Sequence, residues 1–568
     1  NYATYLEIQP NGSIEKVRDQ LSSINLKNDP NANTNKVDRA YELQPITQLN
    51  LYRPDGTPSG IQTVHIFIIV AVLILLIASI NYVNLSTARS MMRAKEVSMR
   101  KIIGAQKQQL FFQFILESFL FICFSIVLSF GLIFLLLPLF NGITGKDLSF
   151  NLFDFSIWKM IAVVGLFIML TSSIYPAILL SSFKPLEALK GKLGFGMGNT
   201  VFRHILVTVQ FTFSVSLIIA TIIISQQLSF LGTKDPGYNR SQVLTFNAQG
   251  GMLDHMETVK AELAKVPGVK SVSVSNGKVY SMGYTTGDTD WDGKDPNSSF
   301  VVKELAMDES FIPMMQMQMV QGNNFTGSKA DSTHYILNET AVRLMGLEDP
   351  VGKRFALHEE EGIIAGVIKD FNFRSMKFAI EPAVIRYDPT ASFINIKTSG
   401  QGAEQAISAA KEIWTRYNSG FPFNYSFLDE GYDSLYKAEQ RTARLFSIFC
   451  IIAVFVSCLG LFGLATYTAK VRTKEIGIRK IIGASVFEIA TLLSSGFLKL
   501  VALAVLIASP VAYFAMNKWL QDFTYRISIE WYVFAITGLL AVLIAILTVS
   551  FQAVKAAVAN PVDSLRDE

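Results

Sequence analysis

Asp288, Asp290, Asp292 and Asp295 place four carboxylates in one short stretch, the oxygen chemistry that calcium prefers. The stretch lacks the EF-hand order and its terminal Glu, so a solvated loop is the expectation. The five histidines are scattered singly, without metal-ligand spacing. Cys123, Cys450 and Cys458 all fall inside apolar runs and offer the polar regions neither a disulfide framework nor a metal set. Glu117 lies inside an apolar run, where a carboxylate in lipid costs about 2.5–3.5 kcal/mol. It could serve a proton relay or a structural hydrogen bond, to Gln113 or to a neighbouring helix. The phosphate-cradling pattern G-x-x-x-x-G-K-[ST] is absent: Gly191-Lys192 and Gly352-Lys353 lack the preceding glycine and the following hydroxyl. The chain is therefore expected to hold no cofactor and to hydrolyse no ATP itself.

A different chemistry, recognition, is written twice. Lys95 to Ala105 reads KEVSMRKIIGA and Lys474 to Ala484 reads KEIGIRKIIGA, with eight of eleven positions identical. Each copy places a Glu and an Arg four residues apart, then Lys-Ile-Ile-Gly. Gly104 and Gly483 suit a helix C-terminus. Val97, Met99, Ile102 and Ile103 would make an amphipathic helix lying along a membrane surface. Attraction to anionic lipid accounts for basic residues but does not demand the same Glu, Arg and Gly in one register. A docking surface does. Two copies suit a partner with two equivalent faces. Lys95, Glu96, Arg100, Lys101 and Gly104, with Lys474, Glu475, Arg479, Lys480 and Gly483, are the candidate contact residues.

The elements that hold these loops are membrane spans. Of the 568 residues 50% are hydrophobic and 17% charged, and the mean hydropathy is +0.34. Apolar runs at about 62–86, 108–138, 157–181, 203–231, 440–468, 486–517 and 529–556 each reach the roughly 20 residues a bilayer requires. Basic residues alternate between the connecting loops. Arg89 to Lys107, Lys184 to Arg203 and Lys470 to Lys480 are rich, whereas 139–156 has Lys146 alone and 518–528 has Lys518 and Arg526. The positive-inside rule makes the rich loops cytoplasmic and puts 1–61 and 232–438 outside. A net charge of +4 spread over short loops forms no nucleic-acid face.

The duplication extends beyond the loops. Lys184-Pro185-Leu186-Glu187-Ala188-Leu189 is echoed by Asn560-Pro561-Val562-Asp563-Ser564-Leu565. Residues 3–8 and YELQPI (41–46) are strand candidates around an amphipathic helix from Ser13 to Ile24. A second strand–helix–strand unit is expected over 391–428, with its helix at 403–417. Together with a unit over 243–275, turning at Pro267-Gly268, this predicts a split βαβ domain with an insertion at about 276–390. Met314 to Met319 reads as a buried face or an adaptable surface. Residues 225–233 and 429–440 are polar yet helical and would prolong neighbouring spans. The expected class is a polytopic α-helical membrane protein with α+β extracytoplasmic domains, built as two four-span repeats, with seven spans here of eight in a parent chain. Its expected parts are 1–61, the end of a truncated first outside domain; 62–202, three spans; 203–231, the span opening the second repeat; 232–438, the second outside domain; and 439–568, three spans.

The loop sequence and its place between spans resemble the FtsX/MacB-type permease family. Ile336-Leu337-Asn338-Glu339-Thr340-Ala341 with Leu347 to Lys353 resembles that family's extracytoplasmic domain signature, and Gly366 to Phe371 with Phe427 to Arg441 resembles the double-length permeases of Bacteroidetes. The resemblance implies a bacterial inner-membrane, multi-pass subunit with periplasmic domains. Its loop helices would dock on a separate ABC ATPase; the two loops imply an ATPase dimer, which would bind the ATP. It further implies motion transmitted to the periplasmic domains, for export or extraction of a substrate, with a periplasmic adaptor and membrane lipid as further partners. The alternative is a regulator that activates a periplasmic partner such as a cell-wall hydrolase. A symmetric intramembrane proton relay is disfavoured, because Gly496 stands at the repeat counterpart of Glu117.

Overall fold

The computed structural model describes residues 5–9, 12–28, 43–53, 56–58, 60–92, 94–182, 197–281, 284–295, 298 and 300–558. Helix α1 (Ile14–Asn28) is followed by α2 (Gly60–Met92), α3 (Ala94–Ile102), α4 (Lys107–Thr144), α5 (Phe155–Ser182) and α6 (Met197–Thr233). An α/β region then runs β1 (Val243–Asn247), α7 (Met256–Ala264), β2 (Val269–Ser275), β3 (Tyr284–Thr286), β4 (Thr289–Trp291) and β5 (Val302–Met307). It continues with α8 (Phe311–Met314), β6 (Met319–Gly322), β7 (His334–Asn338), α9 (Glu339–Met345), β8 (Arg354–Leu357) and β9 (Glu360–Ile368). It ends with β10 (Ala383–Tyr387), β11 (Phe393–Thr398), α10 (Ala403–Tyr417), β12 (Ser426–Phe427) and α11 (Leu428–Ser434). Helices α12 (Lys437–Val471), α13 (Thr473–Ile481), α14 (Val486–Leu520) and α15 (Trp531–Val558) complete the order.

Among the described residues, six helices are long and apolar enough to cross a membrane, over Gly60–Thr87, Lys107–Thr144, Val201–Thr233, Lys437–Val471, Val486–Leu520 and Trp531–Val558. The remaining expected span falls in α5, which is apolar over Phe155–Thr171. The echo at 184–189 and 560–565 lies outside the described residues. The chain divides into two compact units. The first holds Asn1–Ile222, Arg444–Phe514 and Glu530–Glu568; the second holds Ile223–Ala443 and Ala515–Ile529.

In the first unit, α2 of one repeat packs on α12 of the other. A Cβ on Gly460 would lie 1.7 Å from Oδ1 of Asn81, and one on Gly463 would lie 2.5 Å from Leu85. Small residues are what allow such close approach between apolar helices, where no hydrophobic drive separates protein from lipid. Asn81 also donates to the Val456 carbonyl. Gln210 donates to the Ser457 carbonyl at 3.2 Å, and the hydroxyls of Ser214 and Ser457 meet at 2.7 Å. These polar groups are interhelical fastenings.

The second unit is built on a twelve-stranded sheet with the path β12-β1-β11-β2-β5-β10-β7-β9-β8-β4; β3 pairs with β5 and β6 with β9. Strand β11 lies between β1 and β2, antiparallel to both, and β1 lies between β11 and β12. The units β1-α7-β2 and β11-α10-β12 are thus two interlocked split βαβ motifs. Their core holds Phe246, Leu263, Ile394, Ile396 and Trp414. The strands from 276–390 prolong the same sheet, through a single Ser275–Met307 pairing between β2 and β5, around a further core that includes Tyr335, Leu337 and Phe355.

Helix ends enter a third core within this unit. Leu231 near the end of α6, Tyr436 beside the start of α12 and Phe523 just after α14 are buried with Leu305, Met307, Ile336 and Ile368. Gln227, fully buried on α6, donates to the Tyr525 carbonyl at 2.8 Å and accepts from the Ile527 amide at 3.0 Å. Thr524 donates its amide to the Lys377 carbonyl.

Three local expectations are corrected. Residues 5–8 and 43–46 are not strands; 46–48 form a turn of 3₁₀ helix. A strand needs a paired neighbour for its backbone groups, and these residues have no ladder partner among those described. Residues 429–440 are not one continuous helix, because the chain breaks at Leu435–Tyr436 between α11 and α12. Tertiary packing overrides the helical pattern there: Tyr432 and Tyr436 are buried, and the Tyr436 hydroxyl accepts from the Met376 amide at 2.9 Å.

Candidate docking site

The duplicated loop folds twice into the same nine-residue helix, α3 and α13. Each ends in a Schellman motif. Gly104 and Gly483 have φ of 108° and 100°, a region costly for residues with a Cβ. The Gly104 amide donates to the Lys101 carbonyl at 3.1 Å and the Ala105 amide to that of Arg100 at 3.0 Å. The Gly483 and Ala484 amides repeat this with Lys480 and Arg479 at 3.1 and 3.0 Å. Both bonds are those that satisfy terminal carbonyls in this cap. No atom lies within 4 Å of where either Cβ would sit, so backbone conformation rather than space selects glycine.

The next span starts immediately. Ser485 and Glu488 form a reciprocal capping box, the Ser485 amide donating to Glu488 at 2.9 Å and the Glu488 amide to Ser485 Oγ at 3.2 Å. In the first copy the Gln106 amide donates to Gln109 at 3.1 Å. One buried residue anchors each loop helix: Val97 packs with Leu110 and Phe114, and Ile476 with Ile489, Leu493, Ala553 and Ala557. Val97, Leu110 and Phe114 occupy the repeat positions of Ile476, Ile489 and Leu493.

The outer faces match as well. Arg100 pairs with Glu96 at 2.6 Å and Arg479 with Glu475 at 3.0 Å, each side chain about half exposed. Arg100 also donates to Gln113 at 3.2 Å, which gives Gln113 a partner other than Glu117. Partial burial, and secondarily Lys107, lower the pKa of Lys101. Lys474 is exposed and Lys480 half-buried, while nothing is described of the Lys95 side chain.

The apolar residues divide differently from the expected single membrane-facing stripe. Val97 turns inward, but Met99, Ile102 and Ile103 are exposed at 50%, 54% and 80%, and Ile478, Ile481 and Ile482 at 51%, 62% and 79%. The helical angle explains it, since at 100° per residue these positions point away from Val97 and Ile476. Met99, Ile102 and Ile103, with Ile478, Ile481 and Ile482, therefore join the charged residues on one open surface. The identical Ile-Ile pair in both copies was the sequence signal for this.

Other chemistry finds no support among the described residues. No group of three His, Cys, Asp or Glu could hold a metal there. Asp290 pairs with Arg354 at 2.9 Å and Asp288 lies 3.5 Å from His358. Hydrogen bonding to Arg354 lowers the Asp290 pKa, as suits an ion pair rather than a vacant ligand. Met314, Met315 and Met317 are buried core residues.

Apolar helices duplicated around a capped, amphipathic loop helix, and joined to an α+β domain, are the architecture of a multi-pass membrane protein. The chain carries two FtsX-like permease domains: residues 68–185 and 447–561 match the model described as FtsX-like permease C-terminal. Among solved structures it is similar to the periplasmic region of MacB from Actinobacillus actinomycetemcomitans, at 15% identity and a TM-score of 0.27, covering 35% of this chain and 94% of that one. It is similar also to the extracellular domain of the noncanonical ABC-type transporter YknZ from Gram-positive bacteria, at 16% identity and a TM-score of 0.25, covering 32% and 97%. No curated protein matches the chain.

Proposed function

We propose that this chain is the membrane subunit of a bacterial inner-membrane ABC transport system, and that α3 and α13 dock on two subunits of a separate ATPase. One observation carries the reading: the two loop helices repeat the same ion pair, cap, buried anchor and exposed apolar edge in one register. Mixed apolar and charged surface with accessible arginine is the composition of protein interfaces. ATP is bound by the partner.

Motion would reach the periplasmic side through α6, α12 and α14, each of which has residues in both compact units. Their ends are buried in the core of the sheet-bearing unit. A rigid helix whose end is packed in a core moves that core with it. This favours mechanical transmission to periplasmic domains that extract or export a substrate. The test is transport, or activation of a periplasmic partner, in cells whose ATPase binds but cannot hydrolyse ATP. Activity is expected to cease. Proton- or sodium-coupled flux persisting at the wild-type rate would overturn the proposal.

A further inference from the structure

A cavity of about 300 Å³ opens beside α13, framed by α12 and α15. Lys470, Lys480 and Lys555 line it, with Thr466, Thr473 and Gln552. The Lys470 and Lys555 ammonium groups, facing one concavity, repel each other and favour an anion between them. Gln552 is 9% exposed, and its side-chain amide has no hydrogen-bond partner among the described residues. The cavity thus offers charge and a spare amide together.

The repeat supplies an internal comparison. At the corresponding positions of the first copy, Lys470 becomes Met91, Thr473 becomes Ala94, Gln552 becomes Pro176 and Lys555 becomes Leu179. Lys480 is kept, as Lys101, and Thr466 as Thr87. A surface needed for docking would be duplicated, as the Glu–Arg pair is. Lys470, Thr473, Gln552 and Lys555 belong to the second copy only, so they answer to something other than the shared partner. On α15 beside it, Phe551, Val554 and Val558 are exposed at 66%, 43% and 62%. That is an apolar flank leading from a basic pocket.

We infer that this cavity binds the phosphate headgroup of an anionic phospholipid from the cytoplasmic leaflet, with the acyl chains along the apolar flank of α15. Basic pockets between membrane helices on the cytoplasmic side are suited to such headgroups. The inference rests on the proposed orientation of α13 but not on ATPase docking. A lipid held there would brace α13 against α15 and set how firmly the second docking helix is held.

The experiment uses the purified chain in detergent, without ATPase, and native mass spectrometry to count bound dioleoyl phosphatidylglycerol against dioleoyl phosphatidylcholine. Phosphatidylglycerol is expected to be retained preferentially. Lys470→Gln with Lys555→Gln is expected to weaken that retention about 30-fold, at about 1 kcal/mol per lysine. Lys470→Arg with Lys555→Arg, which keeps the charge, is expected to restore it and so reports that the fold survives. Equal retention by the glutamine variant would overturn the inference. Displacement of the lipid by a millimolar excess of inorganic phosphate would overturn it too, by assigning the site to a soluble anion. Loss of ATPase association would leave these outcomes untouched.

Discussion

Replacing Arg100 and Arg479 together with alanine is expected to abolish association with the ATPase while the permease remains folded. Each arginine is about half exposed and pairs with the glutamate one turn earlier, Glu96 or Glu475, Arg100 donating also to Gln113. Such a pair stabilises a helix by about 0.2–0.5 kcal/mol, too little to unfold α3 or α13. Their Schellman caps use backbone atoms, and Val97 and Ile476 stay buried. Arginine at the centre of an interface is commonly worth about 2 kcal/mol or more, roughly 30-fold in affinity. Two faces engaged at once multiply, so the double variant should bind on the order of 1000-fold more weakly. Each single variant should retain partial binding through the other helix. Co-purification and equilibrium binding in detergent measure both effects, with thermal unfolding as the fold control. Wild-type affinity in the double variant would sink the docking assignment.

Ala443→Pro is expected to uncouple ATP hydrolysis from periplasmic work. Ala443 is the seventh residue of α12, the last residue of the sheet-bearing unit before the chain passes to Arg444 in the other. A proline there removes a helical hydrogen bond and clashes with the preceding turn, at a cost of about 3 kcal/mol or more. The expected signature is split: ATPase association and basal turnover unchanged, transport or partner activation reduced more than tenfold. Lys437→Pro is the matched control, since proline is tolerated at the first helical position. Equal activity for both variants would show that α12 does not carry the motion.

Features that repeat or follow a short period were legible in the chain, and those set by distant packing were not. KEVSMRKIIGA and KEIGIRKIIGA show their helix and glycine cap because both are determined within a dozen residues. The amphipathic helix at 403–417 is likewise local, and Ala406, Ala410, Ile413 and Trp414 supply its buried face. The candidate strands around α1 failed because pairing is not encoded in the strand itself. The break at Leu435–Tyr436 was invisible because two tyrosines seek a core formed by residues up to two hundred positions away. The proposed docking surface was half legible. Its charges were evident, but the outward direction of Met99, Ile102 and Ile103 depends on Val97 claiming the inner side against Leu110. The basic cavity beside α13 was hidden for the same reason: Lys470 and Lys555 lie far apart in sequence and meet only when α12 and α15 flank α13.

One permease chain presenting two equivalent docking helices would fix the stoichiometry of its complex. The mass of the complex in detergent, measured by native mass spectrometry with the chain and its ATPase co-expressed, tests this most directly. The expected particle contains two ATPase subunits for each permease chain, falling to one when Arg479 alone is replaced by alanine under dilute conditions. A wild-type particle with a single ATPase subunit per chain, or a two-to-one particle that survives loss of both arginines, would contradict it.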